Sequence, residues 1–134
     1  MVIDLLIEIL VRRQRMKLKV GQFARLKSGY ICKIININDF REPNMKYGVE
    51  ANYLKDVMFI GDDDVVKASY NIIDILEIGD YVNGYPMYEI VEYENDTRAI
   101  VINNDNKAII WDKQGIKSVI THEQMEQMAY KVGE

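Results

Sequence analysis

A single cysteine in 134 residues rules out a disulfide framework within the chain, and the single histidine beside it rules out a structural zinc site. No glycine-rich phosphate loop is present. Basic excess is missing too: 17 Lys and Arg stand against 21 Asp and Glu, a net charge of −4. That balance argues against a protein whose main task is coating phosphate backbones. What remains is an ordinary globular mixture, 49% hydrophobic and 28% charged, able to bury a core and unlike a disordered chain. The length fits one domain or two very small ones.

Residues 1–15, MVIDLLIEILVRRQR, read differently from the rest. Their apolar run is broken by Asp4 and Glu8, too short and too charged to span a bilayer. Positive charge follows the run instead of preceding it, unlike a signal peptide. Ile3, Leu6, Ile7 and Leu10 recur at helical spacing, which fits an amphipathic helix. Arg12-Arg13 can also be encoded AGG AGG, a bacterial ribosome-binding sequence placed two codons before Met16. On that reading the segment is translated leader and Met16 is the start. Both readings stand. Removing three arginines and two acids leaves 14 basic against 19 acidic residues, a net −5.

An internal repeat runs through the remainder. Lys19 to Ala24 lines up with Glu77 to Val82, each reading apolar, Gly, polar, aromatic, apolar. Ser28-Gly29-Tyr30 matches Asn83-Gly84-Tyr85, and Ile34-Ile35 echoes Ile90-Val91, so the second hairpin is read as shorter by three residues. Alternation and β-branched content predict strands at Gln22–Leu26, Tyr30–Ile37, Tyr47–Val49 and Asp56–Ile60 in the first copy. In the second they predict Tyr81-Val82, Tyr85–Tyr93, Arg98–Ile102, Lys107–Trp111 and Ile116–Ile120. Asn83-Gly84 is the strongest hairpin signal. Val65–Tyr70 reads as a helical turn or irregular connector, and Tyr130–Val132 as a terminal strand. Thr121 with Gln124 forms a capping box before a short helix carrying Met125 and Met128.

The spacing Val20-Gly21-x-Phe23, then Gly29 and Ile34, resembles the opening of an SH3-like barrel of the KOW type. Asn71 to Gly84 and Ser118 to Met125 resemble small proteins of phages and mobile elements of low-GC Gram-positive bacteria, a group without assigned activity. The resemblance implies a mainly β chain of two small SH3-like barrel modules in tandem (16–70 and 71–134), with a short C-terminal helix, in a bacterial cytoplasm. No functional residue carries over from it.

Candidate chemistry is sparse. Asp62-Asp63-Asp64 lacks the spacing of a calcium loop and reads as a charged turn. Cys32 sits in an apolar strand, and His122 lies at a helix start, expected to face solvent with no Cys, Ser or carboxylate pairing implied nearby. Glu89, Glu92 and Glu94 read as the wet side of a strand. No enzyme activity, cofactor or metal site is expected. Recognition equipment is more evident. The Asn38–Lys46 loop, with Tyr47 at its end, is longer than a hairpin needs and carries interface-type side chains. Phe40, Arg41, Met45, Lys46 and Tyr47, together with Tyr85 and Tyr88 in the tyrosine-rich second copy, are the expected contacts to a protein partner, such as a host component blocked by a phage product. The alternative is an RNA- or DNA-binding face of Lys17, Lys19, Arg25, Lys27 and Lys33, interleaved with Phe23 and Tyr30. A third option, a small nucleotide held between the modules, rests on aromatics alone.

Overall fold

The computed structural model describes residues 17–51 and 55–133; the leader-or-helix segment 1–15 lies outside them. The first half forms five strands: β1 (Phe23–Leu26), β2 (Ile31–Ile37), β3 (Tyr47–Glu50), β4 (Met58–Ile60) and β5 (Val65–Ser69). They pair antiparallel in the order β4-β3-β2-β1-β5. Alternation governs the middle strand: Cys32 and Ile34 are buried and Lys33 between them is exposed. Leu18, Ala24, Leu26, Tyr47, Val49, Ile60 and Val65 complete that core. Each Leu, Ile or Val side chain so buried contributes roughly 1.5–3 kcal/mol.

A second sheet follows with β6 (Tyr81–Val82), β7 (Tyr85–Tyr93), β8 (Asp96–Ile102), β9 (Ala108–Trp111) and β10 (Val119–Ile120), ordered β10-β6-β7-β8-β9. Ile73, Leu76, Val82, Met87, Ala99 and Val101 fill its core. Among the described residues the chain is mainly β, two five-stranded antiparallel sheets and one short C-terminal helix, α1 (His122–Met128). Among the described residues no helix is long and apolar enough to cross a membrane.

Both sheets run last, first, second, third, fourth strand, and the repeat extends to hydrogen bonds. The Gly21 amide donates to the Ile34 carbonyl at 2.8 Å and the Ile34 amide to the Gln22 carbonyl at 2.9 Å; Gly79, Met87 and Asp80 repeat these bonds at 3.0 and 2.8 Å. Gly21 and Gly79 share φ near +95°, at 94° and 97°. Each second strand then slips register just beyond the equivalent residue, opposite Val49 in one sheet and Val101 in the other. Ile34 therefore corresponds to Met87. The predicted echo of Ile34 at Ile90 is corrected, and the second hairpin is shorter by five residues.

Two predicted elements differ. Val65–Ser69 is a strand, because pairing with β1 supplies partners that its short pattern does not announce. Tyr130–Val132 forms no strand and is exposed. Asn83 and Gly84 make the expected two-residue turn, both at positive φ. At the C-terminus the capping box closes as read: the Gln124 amide donates to Thr121 Oγ1 at 3.2 Å and the Thr121 amide to Gln124 Oε1 at 3.0 Å.

Helix α1 belongs to the second half in sequence but docks on the first. Thr121 Oγ1 donates to the Gly29 carbonyl at 2.6 Å, and Gln127 Nε2 to the Ser28 carbonyl at 2.7 Å. A Cβ on Gly29, whose φ is +91°, would lie 2.4 Å from the Cβ of Glu123, so only glycine lets the helix approach. Gly29→Ala is therefore expected to cost about 3 kcal/mol or more, against about 1–2 for Gly84→Ala, which has a similar φ but open space. Urea denaturation of both variants checks the ranking; equal losses would mean that the helix does not seat there.

Candidate functional site

The two groups of partner-binding residues read from the sequence lie on different sheets. Phe40, Arg41, Met45 and Lys46 sit in the connection between β2 and β3, nine residues long, where the equivalent connection between β7 and β8 needs only Glu94 and Asn95. Phe40 is fully exposed, at 101%. Arg41 organises the loop from within. Its Nε donates to the Met45 carbonyl at 2.8 Å, and its Nη2 to Asn36 Oδ1 at 2.6 Å and the Lys46 carbonyl at 3.1 Å. Its guanidinium also lies over the Phe59 ring, 4.7 Å from the centroid. The Phe40 amide donates to Asn38 Oδ1 at 3.0 Å, and the Asn38 amide to the Lys46 carbonyl at 2.9 Å. Phe40 is thereby held outward on a loop that is tied down at both ends. Ile37, Met45 and Phe59 add exposed apolar area nearby in the chain and across β3.

Tyr47 departs from expectation. It is 2% exposed, part of the first core, and its hydroxyl donates to Asp62 Oδ1 at 2.6 Å. The β3 register points it inward, so it cannot contact a partner. Tyr85 is half-buried against the second core and Tyr88 is exposed on β7, neither in hydrogen-bond contact with the loop.

The basic set is also redistributed. Lys17, Lys19, Lys27 and Lys33 are exposed, whereas Arg25 is 1% exposed and faces the second half. Arg25 is therefore no nucleic-acid contact; its charge is consumed internally. Nη1 meets Asp80 Oδ2 at 2.6 Å and donates to the Ile75 carbonyl at 3.1 Å, while Nη2 reaches Asp80 Oδ1 at 3.0 Å and Glu123 Oε2 at 2.6 Å. Nε completes the set on Glu77 Oε2 at 3.2 Å. Asp80, itself 0% exposed, also accepts the Glu77 amide at 2.8 Å and the His122 amide at 2.9 Å. Burial opposes ionisation of Asp80, yet Arg25 and these two amides outweigh it and hold the carboxyl below its usual range.

The remaining carboxylate oxygens form a second layer. His122 Nε2 lies 3.0 Å from Glu77 Oε1 and 3.1 Å from Glu123 Oε1. Two carboxylates and an imidazole are a donor set that can take a divalent cation. Each carboxylate also gives its other oxygen to Arg25, and the hydrogen bond to Glu77 raises the pKa of His122, so a metal would have to compete with these bonds. Cys32 offers little chemistry, since burial pushes its thiol up to about 12.

Sequence reasoning missed this cluster because its members are spread from residue 25 to residue 123. One signal was available: Gln22 of the first copy, whose Oε1 accepts the Lys19 amide at 2.9 Å, is replaced by a charged residue, Asp80, in the second. No protein-family model, curated protein or solved structure matches this chain.

The titrations set opposite limits. Asp80 and Glu77 have lowered pKa values, so their contribution is complete above about pH 4.5 and is lost as pH falls through the shifted values. His122 has a raised one, so its contribution is complete below about pH 6.5 and is lost as pH rises. Stability is expected to peak between these pH values. Asp80→Asn should lose about 3–5 kcal/mol and flatten the acid limb, because it strands part of the buried Arg25 charge. His122→Gln should flatten the alkaline limb and weaken the acid limb less than Asp80→Asn does, because the His122 bond is the main cause of the lowered Glu77 pKa. Urea titrations over pH check both; a native profile without an acid limb would contradict the assignment.

Proposed function

We propose that this chain is a non-enzymatic interaction protein that binds a protein partner through the Asn38–Lys46 loop, with Phe40 as the anchor. The observation that carries the reading is the presentation of Phe40. Its sheet does not need the loop, since the second sheet makes the same connection with two residues. Its ring covers no core, being fully exposed, yet its backbone is fixed by Asn38 and its loop by Arg41. An aromatic whose backbone is already fixed has less conformational freedom to lose on binding, which is how interface anchors gain affinity. Met45 and the exposed β4 residue Phe59 supply surrounding apolar contact.

The finer architecture belongs to the same proposal. Two SH3-like modules, 16–70 and 71–134, are supported by the shared strand order and by the repeated glycine turns. Resemblance to phage and mobile-element proteins makes a bacterial cytoplasmic host component the partner class, a defence system being one such target. The chain's acidity suits a basic surface on that partner.

Phe40→Ala is expected to weaken binding by about thirtyfold, some 2 kcal/mol, with stability unchanged within about 0.5 kcal/mol. Arg41→Ala should reduce both, since it releases the loop. A photo-crosslinking side chain at position 40, in a nuclease-treated extract of a low-GC Gram-positive host, provides the measurement. The expected product is one crosslinked protein, displaced by the wild-type chain and far less by the Phe40→Ala chain. Equal displacement by both would refute the anchor.

A further inference from the structure

Residues of both halves line an open cleft of about 830 Å³, within the size range of small-ligand sites. One wall is a row across the first sheet, Phe23 paired with Lys33 and Lys33 with Glu50. The opposite wall is the connection from β9 to β10, bearing Lys113 and Lys117, and Tyr70 stands where the chain passes between the sheets. We propose that this cleft binds a nucleotide, free or as one unit of a single strand, with lysines on its phosphate and its base stacked on Tyr70. The proposal is independent of the Phe40 loop.

Charge is the first argument. Lys33, Lys55, Lys113 and Lys117 face Glu50 and Asp56 here, a formal +2 in a chain whose net charge is −4. Among the described residues Lys33, Lys55 and Lys113 make no ion pair, while Lys117 Nζ donates to the Gln114 carbonyl at 2.9 Å. Like charges gathered in a concave site repel one another and concentrate anions. Glu50 and Asp56 offset two of the four charges, and a ligand anion would offset the remainder.

Ring geometry is the second. The Tyr70 ring lies against Gly21, where a Cβ would be 3.5 Å from its Cε1, and the residue is nonetheless 56% exposed. Gly21 meets the Cδ1–Cε1 edge of the ring, and more than half of the residue stays open to a stacking base. Lys33 Nζ lies 5.5 Å from the Phe23 ring centroid, which places a cation beside a second aromatic. Glu50 and Asp56 would repel a bare phosphate but can accept hydrogen bonds from ribose hydroxyls or exocyclic amines. Lysines, rings and acceptors together fit a nucleotide better than an inorganic anion. Of the basic residues read from the sequence only Lys33 lines this cleft; Lys17, Lys19 and Lys27 do not.

The test is a titration of the full chain, followed by amide NMR shifts and by fluorescence anisotropy at low salt. The probes are AMP, GMP and UMP, linear and cyclic dinucleotides, a labelled ten-residue oligothymidylate, and inorganic phosphate as reference. We expect at least one nucleotide probe to bind with shifts at Lys33, Tyr70, Lys113 and Lys117, at least tenfold more tightly than phosphate. Binding by mono- or dinucleotides identifies a free ligand, and binding by the oligomer alone identifies a strand. Tyr70→Ala and the pair Lys33→Glu/Lys113→Glu should each weaken binding about tenfold. Lys17→Glu/Lys19→Glu/Lys27→Glu should change it less than twofold. No binding of any nucleotide at millimolar concentration would overturn the proposal, as would equal binding of phosphate or insensitivity to the cleft variants. Unchanged circular dichroism confirms that each variant is folded, and Tyr70→Phe, which keeps the ring, should retain binding.

Discussion

Arg25 is a permanent charge placed between two small sheets, and its neutralisation constrains almost everything else in the molecule. A guanidinium this buried needs carboxylates in fixed positions, because stranding it costs several kcal/mol. Asp80 comes from the turn before β6, Glu77 from the same turn, and Glu123 from helix α1. The charge is met only when the second half and the C-terminal helix both lie against β1. Apolar packing at the same place would hold the halves together with less demand on their orientation. The ion network specifies one arrangement, and the helix contacts to Ser28 and Gly29 follow from it.

This arrangement also explains how two similar copies divide the work. The turn around Gly21 and the turn around Gly79 make the same backbone bonds, and Gln22 and Asp80 cap them in the same way. Only Asp80 has a charge to spare for Arg25. The copies diverge again in the connection after the second strand, nine residues in one and two in the other. One copy thus carries the exposed Phe40 loop while the other carries the acidic half of the interface. The cleft exists because the halves are fixed relative to one another, and lysines of both line it.

Local signals were readable in the residues alone. Asn83-Gly84, the Thr121–Gln124 box and the β-branched run of β2 depend on neighbours in sequence, and each forms where expected, whereas the alternation read at Gln22–Leu26 is overridden by the burial of Arg25. Features that depend on distant partners were not readable. Val65–Ser69 becomes a strand through β1, and Tyr47 turns inward through the register of β3. Arg25 lies in β1 two residues from Phe23, as a solvent-facing strand residue would; only the second half, more than fifty residues on, covers it. Lys55, Lys113, Lys117 and Tyr70 carry no shared pattern and meet only in the folded cleft.

If the Arg25 network joins the sheets into one cooperative body, the two cores must open together. Native-state hydrogen exchange in rising denaturant measures this directly, comparing the amides of Ile34 and Val49 with those of Met87 and Val101. The account predicts one opening free energy and one denaturant slope for all four. Two separate isotherms, with either sheet opening well below the global transition while the other stays protected, would contradict it.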